Sequence, residues 1–343
     1  MNMPDPDSPQ LTVYTTAPSS NDLSGREFRQ RAADVARWTE EAGHRGLLIY
    51  SDNSLVDPWQ AAQFIIERTT TLVPLVAIQP LFRHPFDAAR AISSLAYQYD
   101  RQIDLNLVSG GFSKNMRELA NTLDHDDRYR RLVEYARIMS TLLASGRRPV
   151  SHEGEFYTLN KVRLALPFDT ALTPRTYVAG SSTACIEAQQ ALGATRLCYP
   201  QYIGDYADTP NALQGSGIRL GIIARDTADE AWHVAHTRFP NDQLGEQLHD
   251  MAARQVESRW HQNLSAEAQS SAAPRDGYWL YPFRAYKTFC PYLIGSHQDV
   301  ADMLAQYRKL GVDVLVLDVP HDEEDLAHIG TAIALAERVA FAH

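Results

Sequence analysis

Gly180-Ser181-Ser182 is the stretch whose residue types most plainly offer chemistry. An apolar run at 176–179 precedes it and a helical pattern follows, so it falls on a strand-to-helix turn. Small residues there let the backbone approach an anion. The helix N-terminus adds unpaired amides and partial positive charge, and the serine hydroxyls add donors. The arrangement reads as a phosphate cradle; the plain alternative is a serine N-cap. A second cluster is Leu123-Asp124-His125-Asp126-Asp127-Arg128-Tyr129-Arg130-Arg131. Asp124 suits an N-cap, and the acids after His125 suit a first turn. Arg128 and Tyr129 stand where they reach a ligand phosphate or lie on a solvated helix face.

Other chemistries find little support. Neither G-x-G-x-x-G nor G-x-x-x-x-G-K-[ST] occurs, so no dinucleotide fold or P-loop is indicated. There is no G-x-S-x-G elbow. The twelve histidines form no helix pair with an acid suited to zinc, and no metal is expected. His321-Asp322-Glu323-Glu324-Asp325 reads as the acidic first turn of the last helix. Cys185, Cys198 and Cys290 are far apart and fit buried apolar positions in a reducing cytoplasm. Neither a secretory signal nor a membrane span is expected. A net charge of −10 argues against nucleic acid as a partner.

The elements that must position these groups alternate. Strand-like apolar runs fall at 11–15, 46–51, 72–79, 103–109, 176–179, 197–199, 218–224 and 312–318. Most are continuously apolar, as strands covered on both faces should be. Helical spacing fills the gaps, as in Leu132, Tyr135, Ala136, Met139, Leu142 and Leu143. Eight such strands predict one α/β domain over 11–343, a (β/α)8 TIM barrel with insertions, after a disordered tail at 1–10. One insertion is a hairpin at about 150–170. The other is a lid-like segment at about 240–291, with helix around 244–261. Barrel enzymes carry their reacting groups at strand C-termini. That places Gln79, Asn106, Ser109, Gly180 and Tyr199 at strand ends and Arg219 on strand seven; Arg284 and Lys287 are candidate contacts in the lid.

The ordered set resembles the bacterial luciferase-like flavin monooxygenases, and most closely their alkanesulfonate monooxygenase branch. Its pieces include Asp57-Pro58-Trp59, Leu75-Val76-Ala77-Ile78-Gln79-Pro80, Asn106-Leu107-Val108-Ser109-Gly110, Leu123 to Tyr129, Gly180-Ser181-Ser182 and Leu293-Ile294-Gly295-Ser296. Together they run from about residue 24 to 340. The resemblance implies that Tyr129 with Gly180, Ser181 and Ser182 holds the flavin phosphate. Asn106 and Ser109 then border the ring and ribityl chain, Arg219 is the catalytic cation, and Gln79, Tyr199 and Arg284 meet substrate. Where sulfonate enzymes carry cysteine, histidine, tyrosine and tryptophan, this chain has Leu55, Gly221, Val319 and Tyr199. Desulfonation is therefore not expected.

The implied reaction is two-component. Reduced FMN from a separate flavin reductase would react with O2, and a flavin C4a-(hydro)peroxide would oxygenate a small molecule, free or tethered to a carrier protein. The resemblance also implies a homodimer or homotetramer. The alternatives are an oxidoreductase using the deazaflavin F420 on the same barrel, and a non-catalytic flavin-binding accessory protein.

Overall fold

The structure is a computed structural model that describes residues 10–21, 23–110, 113–253, 259–270 and 273–339. The tail expected at 1–10 lies outside these apart from its last residue. The strands are β1 (Thr12–Thr16), β2 (Gly46–Ile49), β3 (Val73–Ile78), β4 (Asp104–Leu107), β5 (Val150–Glu153), β6 (Thr158–Val162), β7 (Thr176–Ala179), β8 (Thr195–Cys198), β9 (Ser216–Arg225), β10 (Tyr278–Trp279), β11 (Tyr292–Ser296) and β12 (Val312–Leu317). The helices are α1 (Gly25–Glu41), α2 (Pro58–Ile66), α3 (Pro85–Tyr99), α4 (Ser113–Glu118), α5 (His125–Ala144), α6 (Thr183–Leu192), α7 (Ala228–Arg238), α8 (Gln243–Ala253), α9 (Arg259–Ser270), α10 (Tyr281–Arg284), α11 (His297–Lys309) and α12 (Glu323–Val339).

The main sheet runs β12-β1-β2-β3-β4-β7-β8, and β9 pairs with both β12 and β8, so the succession returns on itself. The pairs β1–β12, β12–β9, β2–β3, β3–β4 and β4–β7 are parallel. This is the (β/α)8 topology expected from the eight apolar runs, each of which is a strand. The runs are continuous because both faces are covered: all of β2, β3 and β9 is buried.

Contacts gather the chain into two compact units. One holds the described residues within 17–37 and 46–196; the other holds those within 10–16, 38–45 and 197–339. In the first, β2, β3, β4 and β7 pack Leu47, Leu75, Leu107 and Val178 out of water. Each such side chain contributes roughly 1.5–3 kcal/mol by burial. Local sequence sets the helix starts. Asp57 caps α2 with Pro58 in its first turn, and Asp124 caps α5 by accepting from the Asp127 amide at 2.8 Å. The expected hairpin is β5–β6, antiparallel.

In the second unit α7, α11 and α12 pack on β9, β11 and β12. Asp325, read as one of several helix-end acids, is fully buried. Arg225 reaches it at 3.0 Å and Arg238 at 2.9 Å. The 240–291 insertion contains α8, α9, β10 and α10, and α8 with the start of α9 supplies the helix expected around 244–261. It leads into β11, an unexpected strand that pairs in parallel with the second half of β9.

Candidate functional site

In the first unit three of the expected residues, Ser109, Gly180 and Ser182, converge on the phenol of a fourth, Tyr129. Tyr129, on the second turn of α5, is buried and donates to the Ala179 carbonyl at 3.1 Å, at the end of β7. The hydroxyls of Ser109 and Ser182 also bond to it. Gly180 follows β7 with φ +144°, and a Cβ there would lie 2.5 Å from the Tyr129 oxygen. Only glycine permits both that backbone and that approach. Ser182 caps α6, accepting from the Cys185 amide at 3.2 Å. Capping uses a hydroxyl lone pair and leaves its proton to donate, so cap and cradle are compatible rather than rival readings. Burial pushes the Tyr129 phenol well above its usual range. The Cys185 thiol pushes the same way and the two serine hydroxyls oppose it, so the phenol stays protonated. Ser181 is exposed at the rim.

Asn106, on β4, is buried with its Oδ1 lacking a hydrogen-bond partner among the described residues. An unpaired buried acceptor costs about 1–3 kcal/mol, and a ligand donor removes that cost. Gln79 follows β3 and its Nε2 donates to the Ser51 carbonyl at 3.0 Å. Gln79 also lines a cavity of about 460 Å³, together with Leu55, Trp59, Ile78, Phe82 and Leu119. Arg128 is buried and donates to the Leu123 carbonyl at 3.0 Å, bracing the turn into α5.

In the second unit Arg219 on β9 is buried beneath the Tyr199 ring, whose centroid is 5.9 Å from the guanidinium carbon. Its guanidinium lies 3.7 Å from the Asp318 carboxylate. Tyr292 donates its hydroxyl to Asp318 at 2.9 Å, and Thr288 donates to the same oxygen. Burial, with the Asp318 charge, pushes the thiol of Cys290 well up. Arg284 is not brought to this cluster: it pairs with Glu246 at 2.9 Å, and Lys287 pairs with Asp242 at 2.5 Å. Gly221 has a steric reason, since a Cβ there would lie 2.2 Å from the Tyr292 ring.

Sequence reasoning missed Cys185, Asp318, Thr288 and Tyr292. Asp318 at a strand C-terminus was the one available signal. Elsewhere, Asp226, His297 and His328 form a group of metal-ligand types, with facing nitrogens of the two imidazoles 2.9 Å apart and hydrogen-bonded.

Residues 10–314 match the family described as luciferase-like monooxygenase. The chain is 32% identical over 326 residues to the 4-(γ-L-glutamylamino)butanoyl-[BtrI acyl-carrier protein] monooxygenase BtrO of Niallia circulans, covering 93% of this chain and 95% of that one. It therefore belongs to the luciferase-like monooxygenases, flavin-dependent enzymes on a (β/α)8 barrel. Among solved structures it is similar to EDTA monooxygenase from Chelativorans sp. BNC1, with TM-score 0.74, 14% identity and coverage of 97% and 95%. It is also similar to the oxygenating constituent of 3,6-diketocamphane monooxygenase of Pseudomonas putida, a type II Baeyer-Villiger enzyme in complex with FMN, with TM-score 0.69, 14% identity and coverage of 97% and 98%. Among the described residues no helix is long and apolar enough to cross a membrane.

Proposed function

We propose that this protein is the oxygenating component of a two-component monooxygenase. It takes reduced FMN from a separate flavin reductase and uses O2 to oxygenate an acyl intermediate presented on a carrier protein. The observation that carries the cofactor half is the gathering of Ser109, Gly180 and Ser182 around the Tyr129 phenol at the start of α6. Three hydroxyls, a glycine that clears the approach and the amides of a helix's first turn suit a dianionic phosphate. The orphaned Asn106 Oδ1 suits a donor on the isoalloxazine edge or ribityl chain. Bound FMN supplies the oxygen-activating chemistry. On the substrate side Arg219 would donate to an oxygen of the reacting group and Tyr199 would bound its apolar part. The pairing of Arg284 with Glu246 makes its role positional within the insertion, whose trailing end carries Thr288 and Cys290 to Asp318. The acyl-carrier half rests on BtrO, whose own substrate is carried that way.

Fluorescence titration with FMN, reduced FMN under argon and F420 tests the cofactor. The expected outcome is preference for FMN, with Ser182→Ala combined with Tyr129→Phe raising Kd at least about tenfold, one lost charge-assisted bond being worth that much. Preference for F420 would replace the reading. Oxygen uptake with a flavin reductase and acyl-carrier substrates tests the reaction; hydrogen peroxide release without an oxygenated product would instead mark a non-catalytic flavin binder. Light scattering in solution checks the expected homodimer or homotetramer.

A further inference from the structure

Arg219 is the cation on which the substrate half of the proposed function turns, yet the fold delivers a carboxylate to it. The register of β9 against β12 sets Arg219 opposite Val316. Asp318 lies two residues beyond Val316, so it returns to the face that Arg219 occupies. The Asp318 amide donates to the Leu220 carbonyl at 3.0 Å, which fixes it beside β9. Its carboxylate is then held by the Thr288 and Tyr292 hydroxyls, and it sits 3.7 Å from the guanidinium in surroundings where both side chains are nearly out of water. The space Tyr292 needs exists only because position 221 is glycine. Cation and anion are thus buried together, and the pair presents no net charge.

We propose that Asp318 is a specificity-determining residue. By cancelling the charge of Arg219 it closes this end of the substrate site to anions such as sulfonates and carboxylates, and fits it to a neutral acceptor, the carbonyl oxygen of an acyl thioester, ester or amide. This rests on the reading of Arg219 as the residue that meets substrate.

Calorimetric titration of the full chain with 1-hexanesulfonate and hexanamide, without reductant or oxygenation, provides the test. The parent protein is expected to take the amide and exclude the sulfonate. Asp318→Asn, which keeps the shape and removes the charge, is expected to gain at least tenfold in sulfonate affinity, and adding Arg219→Gln abolishes the gain. Thr288→Val, which loosens the carboxylate without removing it, is expected to gain less than threefold. Equal or tighter sulfonate binding by the parent overturns the proposal without any variant. So does a folded Asp318→Asn protein, with parent-like circular dichroism and FMN affinity, that gains nothing. Failure of the monooxygenase reading would appear in oxygen uptake, which this titration does not use.

Discussion

Gly180 has no side chain, and the site depends on that. Its φ of +144° and the 2.5 Å separation of a would-be Cβ from the Tyr129 oxygen give Gly180→Ala two penalties, a strained backbone and a displaced phenol. The variant is expected to lose about 1–3 kcal/mol of stability in urea melts and at least tenfold in FMN affinity. Parent-like FMN binding by this variant would remove the cradle from the account. Gly221 makes the parallel case against the Tyr292 ring. Gly221→Ala and Tyr292→Ala should each destabilise, and a double-mutant cycle should give a coupling of about 1 kcal/mol or more, because the second change removes what the first strikes. Additive effects would mean the two residues do not constrain each other. The turn at Gly180-Ser181-Ser182 was legible because its signal is local: glycine, two serines and a helix start adjoin in sequence. The Arg219–Asp318 pair was not, since 99 positions separate partners that only the β9–β12 register brings together.

Elements pose the same contrast between local and distant signals. The hairpin could be read from its polar strands, but not what holds it. Glu134 on α5 accepts from the Phe156 and Tyr157 amides, both at 3.0 Å, and pairs with His152 at 2.9 Å. One largely buried carboxylate therefore satisfies two hairpin amides and an imidazole. Glu134→Ala is expected to cost about 2–4 kcal/mol, since bonds to a charged group are worth about 1.5–3 kcal/mol each and part is recovered by water. Hydrogen exchange should quicken across 150–162 while α5 keeps its protection; uniform protection would show that packing alone retains the hairpin. β11 escaped the sequence reading for the opposite reason. Its three apolar residues resemble any loop anchor until they pair with the far half of β9, from which the chain has travelled through α7, α8 and α9.

At the scale of the whole chain, the eight-strand succession was legible because most of the strands are largely buried on both faces, β2, β3, β4 and β9 throughout, and so read as apolar runs. Its division into two compact units was not, since two of the boundaries fall inside α1 and β8 and the others at the end of β1 and the start of β2, with no linker to mark them. The same burial fixes how the molecule responds to alkali. Burial raises the phenols of Tyr199, Tyr278, Tyr292 and Tyr307 well above 10, and pushes Tyr157 up to about 12. In the unfolded chain these groups ionise near 10. A raised folded-state pKa means that the folded state keeps protons the unfolded state has lost. The contribution is therefore complete below pH 10 and declines as pH climbs from there toward the folded values. Each phenol that cannot ionise in place removes about 1.4 kcal/mol per pH unit, so five of them act together. Urea midpoints should be level as regards these groups from pH 8 to 9.5 and fall steeply between pH 10 and 11.5. Tyr307→Phe should make the fall shallower, because it removes one titrating group, although it also loses the 2.6 Å bond to the Gln201 carbonyl and so starts lower. A midpoint that stays level to pH 11.5 would mean that these phenols reach water as the folded protein breathes, and that the packing around β9, β11 and α11 is looser than their burial indicates.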